Sequence, residues 1–246
     1  MCTLEKRGNI FFLTLIGNDQ HLLNPTLISS IRSAISEVNS QSTPGSVLIT
    51  LAQGNYFSNG FDLNWAKSTS SSDQSTSPSK AVDLIVHMVH LFKQLVADLV
   101  SLPMPTIAAV TGHAAAAGMI LAISHDYVLM RRDRGVLYMS EIDIGMTIPD
   151  YFAAMVRSKV GKPEVRRDVL LRGVKAKAEE AVGMGLVDSA HDSAERVVEA
   201  GVRMGEELGD KKWDGEVYSE IRKSLYPELC NVLSLTTRDI AKTRFF

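Results

Sequence analysis

The sequence predicts an α/β fold built on parallel strands, and three observations lead there. Residues 10–51 read strand, helix, strand, and residues 106–130 repeat that order. A strand that returns parallel to its predecessor needs such a helical crossover. The strands at Val47–Leu51 and Thr106–Val110 are short, continuous apolar runs, the pattern of strands buried on both faces. Finally, 246 residues with 45% hydrophobic and 22% charged side chains can bury a full core as one large domain.

The elements follow in order. Ile10–Leu15 is a first strand, ended by Gly17-Asn18-Asp19. Pro25 opens a helix in which Leu27, Ile28, Ile31, Ile35 and Val38 recur at helical spacing. Thr43-Pro44-Gly45 turns the chain into Val47–Leu51. Tyr56 to Leu63 reads as a turn around Gly60. Ser68–Ser79 is polar and of low complexity, and is expected to be a loop. Lys80–Ser101 is a long amphipathic helix with Leu84, Met88, Leu91, Leu95 and Leu99 on one face; Pro103 and Pro105 stop it. After Glu141 the chain reads as mostly helical: 151–160, 163–171, 178–183, 193–208 and from Glu216 onward. The expected division is a core of residues 1–190 and a helical C-terminal region of 191–246. No internal repeat is visible.

Composition excludes several classes. A net charge of −2, from 26 basic and 28 acidic residues, leaves no footprint for nucleic acid or a membrane surface. Two distant cysteines, Cys2 and Cys230, make neither a disulfide framework nor a metal site. The run Ile10–Ile16 is too short for a secretory signal and reads as a strand. Ile107–Ile123 is broken by Thr111-Gly112-His113, whereas a membrane span needs about 20 apolar residues. There is no GxSxG, Walker loop or HExxH. Gly183-Met184-Gly185 reads as a helix end, not a nucleotide loop. Asp83, His87 and His90 share a helix face as exposed polar residues, and His113 and His125 read as satisfied core histidines. No metal is expected.

The stretch with chemical content runs from Thr106 to Glu141. A buried strand turns at Thr111-Gly112-His113 and crosses four alanines into Gly118 and an apolar helix. Small side chains at such a turn let another group approach the backbone, and the first helical N–H groups have no internal partner. Glu141 follows as a lone carboxylate in an apolar run. An amide nest and a lone acid are the parts that make and protonate an enolate.

Three segments together resemble the crotonase (enoyl-CoA hydratase/isomerase) superfamily. They are Phe57-Ser58-Asn59-Gly60-Phe61-Asp62-Leu63, Pro105 through Gly118, and Glu180-Ala181 leading to Gly185-Leu186-Val187. Tyr138-Met139-Ser140-Glu141 and Ser224 to Glu228 look most like the plant monofunctional Δ3,Δ2-enoyl-CoA isomerases of that superfamily. The resemblance implies a spiral of ββα units with a helical C-terminal trimerisation region. It implies an acyl-CoA thioester as substrate, no cofactor beyond the CoA the substrate carries, and a homotrimer; the near-neutral charge argues against a nucleic-acid or membrane partner. It puts two oxyanion-binding amides at Phe61 and Ala117, and substrate contacts along Ser58, Asn59, Gly60, Phe61, Asp62 and Leu63 and at Ala115, Ala117 and Ile120.

By the same resemblance Glu141 is the expected base, removing a C2 proton and returning it at C4, with Asp150 as a rival or helper. Read without the resemblance, Asp150 is a helix cap. Hydratases of the superfamily carry a glutamate where this chain has Ile120. Isoleucine cannot bind water, so isomerisation is favoured over hydration; an enoyl-CoA hydratase, an acyl-CoA hydrolase or a non-catalytic CoA-thioester-binding member of the same fold are the alternatives. No basic residue stands in His21-Leu22-Leu23-Asn24, where relatives often hold CoA phosphates. The resemblance points to peroxisomes, yet Thr243-Arg244-Phe245-Phe246 is not an SKL-type address, which leaves a cytoplasmic location open.

Overall fold

The computed structural model describes residues 1–71 and 78–238. Its strands in chain order are β1 (Cys2–Arg7), β2 (Ile10–Leu15), β3 (Val47–Ala52), β4 (Tyr56–Ser58), β5 (Thr106–Val110), β6 (His113–Ala115), β7 (Tyr127–Arg131), β8 (Val136–Tyr138), β9 (Ala176–Lys177) and β10 (Ser189–His191). The helices are α1 (Pro25–Ser40), α2 (Leu63–Ser71), α3 (Pro78–Val100), α4 (Ala117–Ile123), α5 (Asp150–Lys159), α6 (Pro163–Leu171), α7 (Ala178–Met184), α8 (Ala194–Gly209), α9 (Gly215–Leu225) and α10 (Pro227–Val232).

The strands form two sheets, ordered β1-β2-β3-β5-β7-β10 and β4-β6-β8-β9. The first is parallel from β2 to β10, with β1 antiparallel at its edge. In the second, β4, β6 and β8 run parallel and β9 antiparallel. Each consecutive pair β3/β4, β5/β6 and β7/β8 places one strand in each sheet and is followed by helix. That is the expected ββα spiral. The repeat exists in geometry only, since three-residue strands carry no detectable period.

The corners between paired strands are locked together. The Thr111 hydroxyl donates to the Ala52 carbonyl at 2.6 Å. A Cβ at Gly112 would lie 2.2 Å from the Asn55 carbonyl oxygen, so only glycine fits there.

Helices cover both faces of the large sheet. Asn24 caps α1 by accepting the Leu27 N–H, Pro25 opens it, and its buried face is Leu27, Ile28, Ile31, Ala34, Ile35 and Val38. On the other side, Val197 and Ala200 of α8 join Ile10, Val47, Ile49 and Leu129 in a second core cluster. α9 is held by a buried ion pair: Arg222 donates to both carboxylate oxygens of Asp126 at 2.6 and 2.5 Å. Its remaining N–H groups reach the Val100, Leu102 and Met104 carbonyls. Burial alone would raise the Asp126 pKa; Arg222 outweighs it and holds the carboxyl below the ordinary range.

Several expectations are corrected. β1 precedes the strand expected to be first. β4 lies inside the expected turn at Tyr56–Leu63, β6 inside the alanine crossing, and β9 and β10 inside the region expected to be helical. The loop expected over Ser68–Ser79 shrinks, because α2 runs to Ser71 and α3 starts at Pro78. Asp62 Oδ1 accepts the Trp65 N–H at 2.8 Å and so caps α2. The rest of that expected loop, residues 72–77, lies outside the described residues, as does the C-terminal 243–246. Gly185 ends α7 with φ 72°, the helix end expected there.

Among the described residues no group of three or more His, Cys, Asp or Glu is placed to hold a metal, and no helix is long and apolar enough to cross a membrane. His87 and His90 are exposed. His125 is buried, donates through Nδ1 to the Leu121 carbonyl and meets the Thr50 hydroxyl at 2.7 Å through Nε2. Burial pushes its pKa down to about 4, so it is neutral.

Candidate active site

Three parallel strands of the smaller sheet end at the same place. β4 ends at Ser58, β6 at Ala115 and β8 at Tyr138. Just beyond these carboxyl ends come Gly60-Phe61, Ala116-Ala117 and Glu141. Ligands in α/β folds bind beyond strand carboxyl ends, because the chain turns there and leaves its amides free. The sheet thus gathers residues that are 80 positions apart in sequence.

The first two segments touch through their backbones. A Cβ on Gly60 would meet the Ala115 oxygen at 3.1 Å and the Ala117 nitrogen at 3.5 Å. A Cβ on Gly118 would fall 2.1 Å from the Ser58 oxygen. Glycine is required at both positions, and Gly60 also has φ 82°. The turn at Phe61 is held by Leu23, whose N–H donates to the Gly60 oxygen at 2.8 Å and whose oxygen accepts the Asp62 N–H at 3.2 Å. The Phe61 N–H has no partner among the described residues. Ala117 is the first residue of α4, so its N–H has no intrahelical acceptor.

The third segment is tied to the second. The Ala116 N–H donates to the Tyr138 oxygen at 2.9 Å, and Ala115 pairs with Tyr138 in register. Glu141 follows three residues later in a turn closed by its own carbonyl and the Met146 N–H at 2.9 Å. Its side chain is buried, at 9% exposure, and Oε2 has no hydrogen-bond partner among the described residues. Burial pushes its pKa above the ordinary 4.5; the Glu141 and Ser140 backbone N–H groups oppose this and lose. A buried, half-satisfied carboxylate with a raised pKa holds a proton more readily than an exposed glutamate does.

The remaining predicted residues divide between this place and its supports. Ser58 is fully buried, and its hydroxyl donates to the His21 carbonyl at 2.8 Å while receiving the Gly60 N–H at 3.3 Å. Its side chain shapes the loop, and the whole residue is shielded from solvent. Asn59 is bonded to Gln20, and Asp62 caps α2. Leu63 is half-buried as the first residue of α2. Ala115 and Ile120 are buried in the core. The Phe61 ring stacks on Phe152 at 6.2 Å and meets Phe92 edge-on at 5.5 Å, which fixes the residue bearing the free amide. Asp150 opens α5 with its carboxylate 64% exposed, 3.8 Å from Lys93, and takes the Tyr151 N–H at 2.7 Å. This is the environment of a helix-start acid.

Sequence reasoning missed two supports. His21 is buried with φ 43°, and its Nδ1–H donates to the Tyr56 carbonyl at 3.0 Å. It therefore faces inward, at the place where a basic residue for CoA phosphates was sought. Ala116 has positive φ with no glycine to signal it.

Burying Glu141 has a consequence for stability. The folded state holds its proton at pH values where the unfolded state has lost it, so this residue's contribution is lost as pH rises through the raised pKa. Glu141→Gln is expected to be more stable than the parent at neutral pH. The gap should close below the ordinary glutamate range, about pH 4. Urea midpoints measured across pH check this; a variant less stable at neutral pH would contradict it.

Comparison with known proteins agrees with this layout. Residues 6–225 match the enoyl-CoA hydratase/isomerase family. The chain is 59% identical over 242 residues to "Enoyl-CoA delta isomerase 2, peroxisomal" of Arabidopsis thaliana, covering 98% of both chains. It is 57% identical to "Enoyl-CoA delta isomerase 3" of the same plant, again over 98% of both. Among solved structures it resembles a probable enoyl-CoA hydratase from Mycobacterium tuberculosis H37Rv, with a TM-score of 0.82, 20% identity and coverage of 95% and 91%. That likeness carries the fold; the plant relatives and the family match carry more. A chain matched from residue 6 to residue 225, with amides and acid placed beyond three parallel strands, belongs to the enoyl-CoA hydratase/isomerase family.

Proposed function

We propose that this protein is a Δ3,Δ2-enoyl-CoA isomerase that shifts the double bond of a 3-enoyl-CoA to give 2-trans-enoyl-CoA in unsaturated fatty-acid β-oxidation. The observation that carries the mechanism is Glu141 Oε2, buried and unpartnered beyond the strand adjoining the Ala116–Ala117 turn. The named activity of the 53–59% identical plant relatives supports the same reading.

The chemistry needs three things. The C2 protons of a 3-enoyl thioester are acidic, because their removal gives a dienolate with charge on the thioester oxygen. The Phe61 and Ala117 N–H groups receive that charge where it develops; one such donor contributes about 3 kcal/mol to barrier lowering. Glu141 takes the C2 proton and returns it at C4, which one carboxylate can do because both carbons belong to one short allylic unit. Its raised pKa brings it towards the proton it must move. No cofactor is needed, since no electrons leave the substrate. Ile120 fills the position where a second carboxylate would hold water, so hydration of a 2-enoyl-CoA is slow.

A homotrimer accounts for the exposed apolar stripe Val217, Ile221 and Leu225 on α9, with Trp213 beside it. A second copy of the chain is the proposed cover, and the solution mass should be three chains; a monomer would refute it. The peroxisomal names of two plant relatives support a peroxisomal over a cytoplasmic location, and imaging a full-length fusion tests it.

The direct test is to add a 3-enoyl-CoA and follow the absorbance of the conjugated product. Glu141→Gln should lower the rate by about 10²- to 10⁴-fold while thioester binding persists. Asp150→Asn should have little effect. The reverse pattern would move the base to Asp150.

A further inference from the structure

Ala116 has φ 51° and ψ −124°. Those angles belong to the first corner of a type II′ turn, which is ordinarily left to glycine. An L side chain held there strains the backbone, and such strain persists only where the surroundings over-determine it. The surroundings are visible. The Ala116 N–H is bound to the Tyr138 oxygen at 2.9 Å, and the Ala116 carbonyl accepts the Ile120 N–H at 3.1 Å. That carbonyl and the Ala117 N–H belong to one trans peptide and point in opposite directions. Locking the carbonyl into α4 therefore aims the Ala117 N–H away from the helix. The methyl completes the arrangement, since a Cβ built on Gly60 would lie 3.0 Å from the Ala116 Cβ. The methyl of residue 116 thus stands between the two segments that carry the free amides.

We propose that Ala116 is a positioning residue: its strained turn and its methyl, packed against Gly60, fix the direction of the Ala117 amide and its spacing from the Phe61 amide. This rests on the reading of those two amides as the oxyanion site. A glycine at 116 could adopt the same angles without strain, but it could also leave them, and it would remove the spacer. The residue acts through the peptide that follows it.

The test is Ala116→Gly, read in three ways. Isomerase kcat should fall about tenfold, part of the loss expected for a missing oxyanion donor, with KM for the 3-enoyl-CoA within twofold of the parent. The melting temperature should stay level or rise, because the substitution relieves strain. Titration with a 3-ketoacyl-CoA should show a smaller fraction of bound enolate by its absorbance, with unchanged affinity for a saturated acyl-CoA. A kcat and enolate fraction equal to the parent's would overturn the proposal. So would a melting temperature that falls together with kcat, which would mark a purely structural role. The enolate readout separates the two readings: a parent protein that stabilises the enolate but does not isomerise would refute the function while leaving Ala116 in its role. A parent that stabilises no enolate would refute both.

Discussion

The site depends on backbone meeting backbone between the end of β4 and the start of α4. A Cβ on Gly118 would be 2.1 Å from the Ser58 oxygen, and one on Gly60 would be 3.5 Å from the Ala117 nitrogen. With glycine at 60 and 118 and only the small Ala116 methyl beside Gly60, two turns from different ββα units can present amides to one small volume. Main-chain donors suit charge that appears only during reaction. They are fixed by the fold, and they need no reorganisation when the charge develops. The rest of the surroundings keeps these turns in place: Leu23 bridging Gly60 and Asp62, Ser58 tied to His21, and the Phe61 ring held between Phe92 and Phe152.

Two buried carboxylates show how the same burial serves opposite ends. Asp126 has Arg222 on both its oxygens, and its pKa is held below the ordinary range. It is permanently charged and ties α9 to the core; leaving either partner alone would cost about 3–5 kcal/mol. Among the described residues Glu141 has no cation and one oxygen has no partner, and its pKa is raised. It is uncomfortable when charged, which is what a group that takes and returns a proton requires. Folding tolerates that cost because the adjoining β6–β8 register places it there regardless.

Much of this was legible in residues 106–141. The alanine run and Gly118 announced a close approach, and Glu141 followed the short apolar run 136–139. The long helices were legible as well, because α1 and α3 have enough turns to display their period. Less visible were β4, β6, β8 and β9. Strands of two or three residues show no alternation, and they exist because a neighbouring strand supplies their hydrogen bonds.

Sequence by itself determined the parallel α/β class, the crossover helices, the small residues at the turn and the position of Glu141 just after an apolar run. These are local properties, set by side-chain size, polarity and spacing. Only the tertiary structure decided that Ser58, Ala115 and Tyr138 end side by side, that the Ser58 hydroxyl ties His21 to Gly60, and that Asp150 faces solvent beside Lys93. It alone decided that Ala116 takes a glycine-like turn. Those outcomes come from pairing between strands about 20 to 60 residues apart, and no local pattern encodes where a distant hydrogen-bond partner will lie.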